Sequence, residues 1–131
     1  VGAGNTWGET YCFAMCALEA MQWIPTKSIH AAEFFHGTVE MTEKDMSFVL
    51  IKGEDETRPL VDRVENFVKQ HSEYVEVFDT KDYALEGIDE DMRKFVAPMV
   101  TSTQLERVSA HFEHVRNHSL DIRRYYRTVE Y

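Results

Sequence analysis

A three-layer α/β domain, with a parallel sheet flanked by helices on both faces, is the architecture expected of this chain. Its 131 residues suit one domain with a substantial core. Phe48-Val49-Leu50-Ile51 is a continuous apolar run between Asp45 and Gly53, as in a parallel strand buried on both faces. Around it, segments of helical and extended pattern follow the order helix, strand, strand, helix, strand, helix.

Gly2, Gly4 and Asn5 form an opening turn of the kind that follows a strand, so the first strand of the sheet is expected to be missing from this chain. Thr6-Trp7-Gly8-Glu9 fits a capping box, and a helix is predicted over 6–23. Tyr11, Met15 and Leu18 mark its apolar face, Cys12 and Cys16 widen it, and Pro25 closes the segment. A short strand is expected at 28–31, then a tight turn or a single helical turn at 33–37. Thr57 is placed to cap the next helix, with Pro59 in its first turn. Leu60, Val61, Val64, Phe67 and Val68 recur at helical spacing as far as about residue 70. A strand follows at 74–78. Met92, Phe95, Val96, Met99 and Val100 open a last helical region that runs to about residue 116, kinked or restarted at Pro98. Residues 119–131 form a tail that holds Arg123, Arg124 and Arg127.

Fourteen Lys and Arg against 23 Asp and Glu give a net charge of −9. Such a surface repels a phosphate backbone, so nucleic acid is not an expected partner. No apolar run reaches the roughly 20 residues that span a bilayer, and no basic-then-apolar leader opens the chain. The two cysteines read as buried free thiols of a reducing cytoplasm.

The stretch from Ser28 to Gly37 carries the chemistry. His36 is the acid/base candidate, because an imidazole titrates near neutral pH. A histidine that caps a turn is the competing reading. Glu33 orients an imidazole, contacts substrate hydroxyls, or simply caps the turn. His30 either faces the site or is a satisfied core residue, the core being the favoured reading. Cys12 and Cys16 lie far in sequence from His30 and His36, so no zinc spacing is present. His111, His114 and His118 share a helical face, most simply a solvated one. Arg123-Arg124-Tyr125-Tyr126-Arg127 either closes over an anionic substrate or tethers a neighbouring subunit.

Glu33-Phe34-Phe35-His36-Gly37 resembles the Glu-x-x-His-Gly motif of sugar isomerase (SIS) domains. Met21-Gln22-Trp23-Ile24, Ser28-Ile29-His30, Asp55-Glu56-Thr57-Arg58-Pro59-Leu60 and the end from His118 to Tyr131 are similar to the fructosamine 6-phosphate deglycases. The resemblance covers the whole chain. It implies that residues 1–131 are the second of two SIS domains, the first being absent here. It also implies a cytoplasmic homodimer with shared active sites, acting on a phosphorylated sugar–amino acid without metal or other cofactor. Residue by residue it points to His36 as catalytic and to Asn5, Thr6, Glu33 and Tyr125 as substrate-binding. At the position of the family's catalytic glutamate this chain has Ala20. Glu19 is adjacent but turned by about 100° on a helix. The chain also has Tyr125 and Tyr126 where an aminating synthase has a lysine near its Thr-Val-Glu end.

The implied reaction is conversion of a 6-phosphofructosyl amino acid to glucose 6-phosphate and the free amino acid, impaired here by Ala20. A sugar-phosphate-binding regulatory domain and a ketose/aldose sugar phosphate isomerase are the alternatives.

Overall fold

The computed structural model describes residues 1–131. The sheet is built on β1 (Ser47–Lys52) and β2 (Tyr74–Asp79), which run parallel with Ser47 opposite Tyr74 and Lys52 opposite Asp79. The apolar run expected at 48–51 is the core of β1, and Leu50 is fully buried. The chain's start extends the sheet. Ile51 donates its N–H to the Val1 carbonyl, and Gly2 pairs in parallel with His30. The strand expected at 28–31 is reduced to that one bridge, because its next residues leave the sheet in a turn.

Helix α1 (Trp7–Cys12) passes directly into a π-helical segment, Phe13–Met21. The capping box does not form. The Thr6 hydroxyl donates instead to the Ala3 carbonyl at 3.0 Å. The buried face also differs from the expected stripe. Thr10, Phe13 and Ala17 point inward, while Tyr11 and Met15 are exposed. Cys12 and Cys16 are free as expected, but Cys12 is exposed and Cys16 half-buried. Wider π turns rotate each residue by less than an α turn does, which shifts a face read at 3.6 spacing.

Helix α2 (Arg58–His71) follows its pattern, with Val61, Val64 and Val68 buried and Pro59 in the first turn. Thr57 precedes it without capping it through its side chain; its hydroxyl and N–H both donate to Asp55. Helix α3 (Glu90–Arg116) runs unbroken through Pro98. It buries Ala97, Thr101, Leu105 and Ser109, and leaves Met92, Phe95 and Met99 exposed. His111 and His114 lie on it, but Asn117 ends the helix in a left-handed conformation and His118 lies beyond.

The main core joins Phe34, Phe48, Leu50, Val61, Val64 and Val68, between β1 and α2. A second cluster, Phe13, Ala17, Ile51 and Leu105, packs the π-helical segment and α3 together. Helices therefore cover both faces of the sheet. No helix is long and apolar enough to cross a membrane.

Candidate active site

The π-helical segment ends in a turn that shapes the site. Gln22, Trp23 and Ile24 donate their N–H groups back to the carbonyls of Ala17, Glu19 and Leu18. Trp23 closes the turn at φ 56°, a left-handed conformation that glycine usually supplies and that costs a bulky residue about 1–3 kcal/mol. Contacts from the chain's end hold it there. The His118 ring meets the indole edge-on at 4.4 Å, and the Arg124 guanidinium lies 3.9 Å over its face. Buried Gln22 ties the same two segments together by donating to the His118 carbonyl and accepting from Arg116.

A cleft of about 960 Å³ opens between this turn and the tail. Ala20, Trp23, Arg123, Arg124, Tyr125 and Tyr126 line it. Its size is ample for a sugar derivative, since small-molecule sites run to about 1,000 Å³. Glu19 also reaches the cleft, but Thr26 donates to its carboxylate from both the hydroxyl (2.6 Å) and the backbone N–H (3.3 Å). Cys16 is a further wall residue. Burial, and then the Cys16 thiol, raise the pKa of neighbouring Cys12, so Cys12 is no activated nucleophile.

The other expected site residues lie elsewhere. His36 ends a 3₁₀ turn, Phe34–His36, whose anchor is fully buried Phe34. Its Nδ1 is 3.9 Å from a Glu33 carboxylate oxygen, and the two side chains are 74% and 70% exposed. Glu33 precedes the turn without capping it through its side chain. Neither residue lines the cleft. His30 is half-buried against Trp7 rather than in the core. Thr6 is fully buried and commits its hydroxyl to the fold. Asn5 donates its N–H to Asp55 and its side-chain amide to the Lys94 carbonyl. The structure thus joins Ala20 to Tyr125, and leaves His36 and Glu33 together on an exposed turn.

A dense ionic network fills the carboxyl ends of β1 and β2, where α/β proteins often bind ligands. Lys52 pairs with Asp62 and Glu65, Arg58 with Asp79, and Arg93 bidentately with Glu54. Burial alone would raise the Asp55 pKa, but hydrogen bonds from Thr57 and the Asn5 N–H hold it below the ordinary carboxylate value. These groups satisfy one another and brace the fold. No three His, Cys, Asp or Glu side chains gather in a metal-ligating arrangement.

No protein-family model matches the chain. Individual relatives do. A fructosamine deglycase of Bacillus subtilis is 36% identical over all 131 residues, and a fructoselysine 6-phosphate deglycase of Escherichia coli K12 is 31% identical over 126. The chain is a homologue of the fructosamine deglycases. Its fold matches that of a phosphosugar isomerase of Bacillus subtilis, with a TM-score of 0.95 at 36% identity over 99% of this chain. A phosphosugar isomerase of Salmonella typhimurium gives 0.94 at 32% identity over the same share. The chain spans 40% of the length of its Bacillus deglycase homologue and 36% of the Escherichia one. The expected SIS architecture of helices around a parallel sheet is therefore shared with these structures.

The sequence singled out Ala20 and the tail, and the fold brings them together. It missed the part that Trp23 plays. The available signal was a helix that stops before Pro25 with no glycine at the turn, which forces a bulky residue into the left-handed region.

Proposed function

We propose that this chain supplies the catalytic cleft of a fructosamine 6-phosphate deglycase, and that Ala20 marks a vacated base. The observation that carries this reading is the convergence of Ala20, Trp23 and Tyr125 on one sugar-sized cleft in a homologue of deglycases.

The reaction needs a carboxylate at position 20. That group takes the C1 proton of the ketoamine and gives an enaminol. Reprotonation at C2 yields an imine, and water adds to its carbon to release glucose 6-phosphate and the amino acid. His36 assists opening of the sugar ring, with Glu33 beside it. Tyr125 contacts the substrate from the tail. Because His36 and Glu33 stand on an exposed turn away from this chain's own cleft, they serve the cleft of a second copy in a homodimer. Asn5 and Thr6 act at one remove, through the backbone they hold. The protein works in the cytoplasm and needs no cofactor, since each step is a proton transfer or the addition of water.

Losing a general base costs about 10²–10⁴ in rate. Ala20→Glu is therefore expected to raise release of glucose 6-phosphate from 6-phosphofructosyl amino acids by about that factor. An enzyme-coupled assay for glucose 6-phosphate reads it. If neither form turns over any such compound while both bind a sugar phosphate, the enzymatic reading fails and a regulatory domain takes its place.

A further inference from the structure

Six basic residues of the chain, among them Lys52, Arg58 and Arg93, are neutralised by carboxylates within 4.0 Å. Arg123 and Arg124 are not, although the chain carries a net charge of −9. Arg123 donates from Nη1 to the backbone carbonyls of Leu120 and Ile122, and its remaining N–H groups have no protein acceptor. Arg124 makes no hydrogen bond at all through its guanidinium; what fixes it is the stack on Trp23. A guanidinium stacked by its face keeps its N–H edge free for a planar, bidentate acceptor. Both arginines line the cleft that holds Ala20.

We infer that Arg123 and Arg124 form the recognition site for the carboxylate of the substrate's amino acid half. The inference rests on the deglycase reading, because that reading sets C1 of the sugar beside position 20. The substrate has two anionic ends. The phosphate is on C6, at the far end of the sugar from C1. In a substrate linked through the α-nitrogen of its amino acid, the carboxylate is separated from C1 only by that nitrogen and one carbon. A group that shares a wall with position 20 therefore meets the carboxylate. Trp23 adds an apolar face for the linking atoms, and its strained backbone presents the indole where Arg124 can rest on it.

The test uses the full chain and three probes read by isothermal titration: 6-phosphofructosyl-glycine, 6-phosphofructosyl-methylamine and unphosphorylated fructosyl-glycine. The first two differ only in the carboxylate, and the first and third only in the phosphate. Hydrogen bonds to a charged group correspond to about 10- to 100-fold in affinity, so the glycine probe is expected to bind tighter than the methylamine probe by that factor. The double variant Arg123→Gln, Arg124→Gln should erase this preference and leave the effect of removing phosphate unchanged. The proposal is overturned if no probe binds, if the wild-type chain shows no carboxylate preference, or if the preference survives in the double variant. It is also overturned if the double variant loses the phosphate effect instead, which would make the arginines a phosphate site. Failure of Ala20→Glu to release glucose 6-phosphate, alongside a carboxylate preference that the double variant abolishes, sinks the deglycase reading alone.

Discussion

Replacing Lys52 by methionine separates ionic support from packing. The Lys52 side chain is 11% exposed, and its ammonium sits 2.6 Å from both Asp62 and Glu65 and 3.8 Å from Asp79. Methionine keeps most of the buried stem and removes the charge. Breaking a buried pair on one side costs about 3–5 kcal/mol, because the abandoned charge stays desolvated. Three features place this case at the low end. Asp62 is 42% exposed, Lys69 still faces Glu65, and Arg58 still holds Asp79. The expected loss near neutral pH is therefore about 3 kcal/mol, read as a shift in the urea midpoint at constant slope.

The pH dependence follows from the signs. Burial would raise the Glu65 pKa, but Lys52 and Lys69 lower it more. At Asp79 burial likewise raises and Arg58 lowers, and both groups end below the ordinary carboxylate value. A depressed carboxylate contributes stability above its unfolded pKa, and loses it as pH falls through the folded one. For Lys52, burial lowers the pKa and its carboxylates raise it more, so its share is lost only as pH rises above the ordinary lysine value. In the variant, Glu65 and Asp79 lose part of their depression. The gap between wild type and variant should then narrow as pH falls from neutral through the carboxylate range. A loss under about 1 kcal/mol, or a gap that does not change between neutral pH and the acid end, would refute the reasoning.

Three further substitutions probe the packing and backbone around the site. Phe34 is fully buried beneath the His36 turn and meets Phe35, Phe48 and Phe67 edge-to-face at 5.1, 6.2 and 6.0 Å. Phe34→Ala should cost about 3–5 kcal/mol in urea unfolding, and a cost below about 1.5 would contradict the packing described. Gly4 sits at φ 53°, and a Cβ there would come within 2.6 Å of both Asp55 carboxylate oxygens. Gly4→Ala should destabilise by about 3 kcal/mol, from left-handed strain plus loss of the Asn5–Asp55 hydrogen bond. Gly8→Ala, in α1 with open space around it, should have the opposite sign and gain up to about 1 kcal/mol. Thermal melts of the two glycine variants shifting in the same direction would count against this account.

The sequence by itself determined the elements whose pattern and environment coincide. The apolar run of β1 is buried on both sides, and the valines of α2 face the core at α-helical spacing. It also marked Ala20, the His36 turn and the basic tail. The tertiary structure decided which helical faces are covered. In α1, the π-helical segment and α3 the large apolar residues Tyr11, Met15, Phe95 and Met99 stay exposed, while Thr10, Ala17, Ala97, Thr101 and Ser109 are buried. Hydrophobicity states what a side chain prefers. Close approach of a helix to its neighbours selects small residues, and periodicity carries no information about that distance. The cleft has the same origin. Trp23 and Arg124 are about a hundred residues apart, and only the return of the chain past α3 sets one upon the other.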